Sequence, residues 1–278
     1  MIDFDSFLSE YKNKLAHIFK KENETNGDAL ERGISQDNLT EILKSTPLAS
    51  FIPSEHGGFG GHTAEALSML EASSYESLPL SLMMGINGAL FLQPIANYGT
   101  EEAKNDVFGR VINKGKMGGL MITEPDYGSE ALKMQTSVEY NASNQHYSVK
   151  GTKHWAGLTG MADYWIMTAR EKNSQGELGR DVSFFVHDSR NGGIEVKEYY
   201  NNLGLYMLPY GRNKVDINVP ASHKLTPKGT GITLMLDLLH RIVKSFLQYI
   251  KDMQFKMYSE MKNLEMPGIG NLLKQIVI

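Results

Sequence analysis

Cysteine is absent from the 278 residues. That excludes disulfides, zinc–thiolate sites, iron–sulfur clusters and thiol nucleophiles together. A surplus of positive charge is also missing, since 28 basic side chains face 32 acidic ones and the net charge is -4. Nucleic-acid binding needs a basic surface, so nucleic acid is not an expected partner. No uninterrupted apolar run reaches bilayer length, and the richest late stretch, Ile232 to Leu239, is broken by Asp237. The opening residues Met1-Ile2-Asp3-Phe4-Asp5 are acidic where a secretory leader would be basic. These absences read as a cytoplasmic chain without a membrane partner. What is present is apolar substance: 41% of the residues are hydrophobic, enough for a sizeable core.

The pattern divides the chain in three: 1–117 helical, 118–222 β-rich, 223–278 a short helical segment. Phe4, Phe7, Leu8, Tyr11, Leu15, Ile18 and Phe19 recur at helical spacing. A polar stretch, Lys20 to Asp28, follows, then a helix candidate from Gln36 to Lys44. Pro53 and four glycines predict a loop over Phe51 to Gly61. Thr63 is expected to cap a helix running to Tyr75, and Thr100 the helix beginning Glu101-Glu102-Ala103. Leu80 to Ala96 is apolar all round, as a helix buried in a bundle would be. Between Gly118 and Pro220 the spacing predicts strands at Leu120–Thr123, Thr136–Tyr140, His146–Lys150, Tyr164–Arg170, Val182–His187, Ile194–Lys197 and Lys214–Asn218. Short strands separated by turns predict an antiparallel barrel or sandwich. The fold class expected is therefore multidomain α+β. A helical pattern resumes from Leu234 to Met261.

Three segments carry chemistry. Met121 to Glu130 is a strand running into a loop with Thr123, Gly128 and Ser129. Such a loop offers backbone N–H groups and hydroxyls to a heterocycle edge or a pyrophosphate. Read bare, a Gly-Ser turn after a strand is more simply a plain turn. Lys150 to Gly160 ends a strand at Trp155 beside a glycine. The indole there either walls a planar heterocycle or plugs the end of a barrel. The Phe51–Gly61 loop holds His56, with His62 just beyond, but no third ligand in metal-site register, and it is not a dinucleotide fingerprint.

These segments, in this order, resemble the acyl-CoA dehydrogenase family. Ile52-Pro53 through Gly57-Gly58-Phe59-Gly60 looks like its P-x-x-x-G-G-x-G loop, and Tyr98 to Lys104 like its Y-G-[ST]-E-E-x-K. Thr123-Glu124-Pro125 with Gly128-Ser129-Glu130 resembles T-E-P-x-x-G-S-D, with Glu130 for the usual aspartate. Gly151-Thr152-Lys153 followed by Trp155 resembles G-x-K-x-[WF], and Leu203-Gly204-Leu205 and Val219-Pro220 fit later punctuation. The resemblance runs from about Phe4 to Arg241. It implies FAD held by the β-domain and an acyl thioester lying along it, carried on coenzyme A or an acyl carrier protein. It implies ring contacts from Ile122, Thr123 and Trp155, with Leu120 of the strand leading in, and pyrophosphate or pantetheine contacts from Gly128 and Ser129. Gly157 stands where the family places a hydroxyl at the flavin's reactive nitrogen, and Tyr206 where it places an arginine.

The family reaction takes a proton from the carbon beside the thioester carbonyl and a hydride from the next carbon, so it needs a carboxylate base and enolate stabilisation. When that glutamate lies early in the last helical domain it directly precedes an arginine; here His240 precedes Arg241. Imidazole, with an ordinary pKa of about 6.5, is a usable base, so His240 is the catalytic candidate. Read by itself it is more simply a partly exposed helix residue with no catalytic role. Beyond Arg241 the resemblance fades, and a truncated or frameshifted member is expected. Three functions follow: a thioester dehydrogenase of lipid metabolism, with an electron-acceptor flavoprotein; a catalytically incomplete FAD- or thioester-binding fragment, acting as a homo-oligomer or with a complementing helical subunit; or a flavin monooxygenase or nitroalkane oxidase on the same architecture.

Overall fold

The computed structural model describes residues 3–26, 35–173, 175–201, 205–225 and 231–241. The stretch after Arg241 and the Leu203-Gly204 punctuation lie outside them. Helices α1 (Phe4–Asn26), α2 (Gln36–Leu43), α3 (Thr63–Glu76), α4 (Leu78–Gly85), α5 (Gln93–Tyr98) and α6 (Glu101–Lys114) precede the sheet.

Phe7, Tyr11, Leu15, Ile18 and Phe19 of α1 are all buried, as their spacing requires. The helix outruns its apolar stripe. It continues to Asn26 through the polar stretch that follows Phe19, where buried Glu22 accepts hydrogen bonds from Ser35 N at 2.9 Å and Asn38 Nδ2 at 2.5 Å. Thr63 is not a cap; it is the first helical residue, and His62 holds the cap position without a side-chain bond. Thr100 is one, accepting from Ala103 N at 3.2 Å. The 51–61 segment carries a short 3₁₀ turn at Ser54–His56.

The apolar stretch after Leu78 is not one regular helix. A π-helical segment, Ile86–Leu92, separates α4 from α5. Asn87, wholly buried, donates to Met83 O at 2.8 Å and accepts from Gly118 N at 2.6 Å. The irregular turn thus ties the helical layer to the first strand, the kind of local function π-turns often have. Leu78–Tyr98 is long and apolar enough to cross a bilayer by composition, yet 67% of its apolar window is buried within the fold.

The strands are β1 (Gly118–Met121), β2 (Ser137–Asn141), β3 (His146–Gly157), β4 (Tyr164–Lys172), β5 (Leu178–Asp188), β6 (Ile194–Tyr199), β7 (Tyr210–Pro220) and β8 (Lys224–Leu225). They form one sheet in the order β6-β7-β3-β2-β4-β5-β8, with β1 also on β4. Most pairings are antiparallel, but β1–β4 and β2–β4 are parallel. Strand positions match the expectation, but lengths do not. β1 stops at Met121, leaving Ile122 and Thr123 in a loop, while β3 runs on to Gly157 and β7 begins at Tyr210. The glycines and turn-formers in β3 and β7 had masked that continuation.

Gly118 allows β1 to lie against the buried helix. A Cβ there would meet the Phe91 ring at 2.2 Å. Gly118→Ala is therefore expected to destabilise the chain by about 1–3 kcal/mol through overpacking, measured by denaturant unfolding; an unchanged midpoint would contradict this packing. Arg110 of α6 adds a polar link, donating to Tyr164 OH at 2.8 Å and Asp188 Oδ2 at 2.9 Å.

Candidate functional site

The loop after β1 and the far end of β3 come together. His154 N donates to Thr123 O at 2.8 Å. A buried ion pair fixes this approach. Lys153 Nζ, fully enclosed, bonds Glu124 Oε1, Ile122 O and Thr168 Oγ1, each at 3.1 Å. Glu124 is saturated besides: it accepts from Thr136 N at 2.9 Å, Thr136 Oγ1 at 2.5 Å and Gln135 N at 2.6 Å. Burial drives the Lys153 ammonium down to about 8, against the pull of Glu124. Burial also works against the Glu124 charge, but Lys153 and the three donors outweigh it and hold the carboxyl below its ordinary range. The lysine thus binds the Ile122 carbonyl to β3. Sequence reasoning treated Lys153 only as a motif letter. Strand parity was the available signal, since Val149, Gly151 and Lys153 share one face.

Next along β3 the pairing with β7 breaks register between Lys153 and Ala156. At this bulge Trp155 has φ +52°, a left-handed conformation that is costly for a bulky residue. The indole is 53% exposed. Tyr200 lies 4.6 Å away, centroid to centroid, tilted 43°, and Tyr210 lies 6.3 Å away at 61°. Behind the indole, Thr159 Oγ1 donates to Ala156 O at 2.7 Å and accepts from Asn213 Nδ2 at 3.0 Å. The fold therefore strains its backbone to hold an aromatic face outward.

The remaining predicted residues fall around this point at different depths. Leu120, Ile122 and Thr123 are half-buried, whereas Gly128 and Ser129 are exposed. Gly157 is buried, and a Cβ there would lie 2.9 Å from Ile86 Cδ1 and 3.2 Å from Tyr210 Cε1. His240 is exposed on the helix spanning 231–241. That helix is anchored by Ile232 N on Asp181 at 3.3 Å and by Arg241 on Gln93 at 2.5 Å. No described contact joins His240 to Thr123 or Trp155. A groove of about 680 Å³ runs beside the loop, lined by residues including Pro125, Tyr127, Thr152, Arg212 and Lys214, with Trp155 outside it. Its cations largely face acids: Lys150 meets Asp216 at 3.5 Å and Arg212 meets Glu198 at 3.2 Å.

An acyl-CoA dehydrogenase N-terminal domain model matches residues 16–115, and an acyl-CoA dehydrogenase middle domain model matches 119–216. The chain belongs to the acyl-CoA dehydrogenase family. It is 23% identical over 239 residues to the very long-chain specific acyl-CoA dehydrogenase of Rattus norvegicus, covering 84% of this chain and 36% of that one. It therefore spans about a third of that relative. The structure is similar to that of butyryl-CoA dehydrogenase from Megasphaera elsdenii, with TM-score 0.78 at 19% identity, covering 90% of this chain and 66% of that one. An acyl-CoA dehydrogenase complexed with FAD from Bacillus anthracis gives TM-score 0.73 at 22% identity over 88% and 43%.

For this family member the residues present suit a planar cofactor. Trp155 offers an open aromatic face held by strained backbone, and the Tyr200 hydroxyl beside it is buried with no hydrogen-bond partner among the described residues. That second feature escaped sequence reading, because Tyr200 reaches Trp155 only through the register of β6 on β7 and β7 on β3.

Proposed function

We propose that this chain holds FAD at the rim formed by the Thr123 loop and Trp155, and serves oxidation of the Cα–Cβ bond of an acyl thioester. The donor would be carried on coenzyme A or a carrier protein, with an electron-transferring flavoprotein as acceptor. One juxtaposition carries this reading: the His154–Thr123 hydrogen bond seats a pinned polar loop beside a half-exposed indole. When bound, the flavin supplies the hydride acceptor.

The chain's own groups supply orientation. The Lys153–Glu124 pair fixes the Ile122–Thr123 backbone, so its polar groups would meet the ring edge without reorganising. Leu120 backs that loop, and Trp155 would shield one ring face from water. Gly128 and Ser129, on the exposed part of the loop, would reach the pyrophosphate or the pantetheine arm. Gly157 would contribute to the cofactor site from behind, letting Ile86 and Tyr210 pack close against the strand beneath the ring. His240 is the proposed proton acceptor at the α-carbon.

The exposed position of His240 favours a second reading, a cofactor- and thioester-binding module whose base comes from outside the described residues. Purified protein loaded with FAD and titrated anaerobically with acyl-CoA separates the two. Loss of the yellow colour is the expected result. A yellow protein that no thioester bleaches would leave the binding reading, and failure to take up FAD at all would overturn both.

A further inference from the structure

Among the described residues, Tyr200 carries a buried hydroxyl without a hydrogen-bond partner. Its ring is seated: the backbone N–H donates to Tyr210 O at 2.9 Å, and the ring packs against both Trp155 at 4.6 Å and the His154 imidazole at 5.2 Å, edge-on at 84° to the latter. Yet its hydroxyl is shut off from solvent and meets no donor or acceptor among the described residues. Buried polar atoms in folded proteins nearly always find a partner, and an unpaired one asks for an explanation such as a missing ligand. Neighbouring positions offer no substitute. Gly157 has no side chain, and the Thr159 hydroxyl is spent on Ala156 O and Asn213. Among the described residues, Tyr200 thus sets a buried, unpaired hydroxyl beside Trp155.

We propose that the Tyr200 hydroxyl is a positioning group for the planar cofactor on Trp155: a shift of the side chain that opens the hydroxyl when the cofactor enters lets it donate a hydrogen bond to the heteroatom edge of the ring. The inference rests on the flavin reading above. It adds that ring orientation is set from the residue that follows β6, outside the loops that otherwise build the rim. A phenol donates at neutral pH, so it suits an acceptor nitrogen or carbonyl oxygen of such a ring.

The test is Tyr200→Phe, which keeps the aromatic contact and removes one oxygen. Wild type and variant are titrated with FAD by flavin fluorescence, with the bound visible spectrum recorded. Wild-type protein should bind FAD, and the variant should bind about tenfold more weakly, the loss of one hydrogen bond, with a shifted long-wavelength flavin band. Equal affinity and an unmoved band in the variant would overturn the Tyr200 assignment alone, whereas a wild type that takes up no FAD would overturn the flavin reading on which it rests. Without FAD, Tyr200→Phe should be as stable as wild type or more so, because it removes an unpaired buried hydroxyl. A less stable apo variant would show that the hydroxyl has a protein partner, and would also overturn the proposal. Tyr199→Phe, whose side chain is exposed, should leave FAD affinity unchanged.

Discussion

Trp155→Ala is expected to lose at least tenfold in FAD affinity while the apo chain keeps its melting temperature within a few degrees. The two effects separate because the indole is half exposed in the free chain. Truncating it removes little buried surface, and alanine keeps the Cβ at φ +52°, so the backbone strain is the same in both chains. In the complex, however, the indole would cover one face of a large heterocycle. Aromatic contact contributes about 0.5–1.5 kcal/mol beyond area, and burial adds roughly 25 cal/mol per Å², so a tenfold change, about 1.4 kcal/mol, is a lower bound. His56→Ala is the control. His56 packs edge-on against Phe108 at 5.2 Å and faces Glu101 at 3.7 Å, within the helical part. Its loss should leave flavin content unchanged. Equilibrium dialysis on both variants checks this, and equal FAD retention by the two would remove Trp155 from the site.

Glu124→Ala should be the most destabilising single change near the rim, costing about 3–5 kcal/mol. It leaves the Lys153 ammonium enclosed without its counter-charge, along with the Thr136 and Gln135 donors. Lys153→Met should cost less, because the Glu124 carboxylate keeps those three donors. If instead Lys153→Met were the worse of the two, the lysine would contribute more than a counter-charge. Acid should reproduce the damage. The folded Glu124 carboxyl sits below its ordinary value of 4.5, so the unfolded chain takes up the proton first. The stability it contributes is complete above that ordinary value and drains away as pH falls through the folded one. Lys153 acts in the opposite range. Its folded value of about 8 lies under the ordinary 10.5, so between these limits the unfolded chain binds more protons and this group's share of stability rises with pH. Denaturant midpoints from pH 3 to 7 should fall on the acid side for wild type, and the Glu124→Ala slope should be shallower.

Much of this was legible from spacing. Helical periodicity in α1 and the order of loop, strand and tryptophan motifs needed no coordinates, since periods of 3.6 and 2 follow from backbone geometry. The Thr123 loop and the Trp155 strand do lie side by side, as the resemblance required. What stayed hidden depends on pairing at a distance. Tyr200 meets Trp155 because β7 lies between their strands, and no local pattern encodes that register. The extension of α1 rests on Glu22 reaching Ser35 and Asn38. The π-turn at Asn87 answers to Gly118, thirty-one positions on. A lysine in a strand ordinarily reads as solvated, so the enclosure of Lys153 was visible only through its parity with Val149.

The chain has two tryptophans, and Trp165 is buried in β4, so a Trp165→Phe variant leaves the indole at 155 as the sole reporter. Its emission during FAD titration tests the site directly. Saturable quenching of most of that emission, in step with flavin uptake, is the expected result. Flavin bound while the emission of Trp155 stays unchanged would place the cofactor elsewhere and contradict the account.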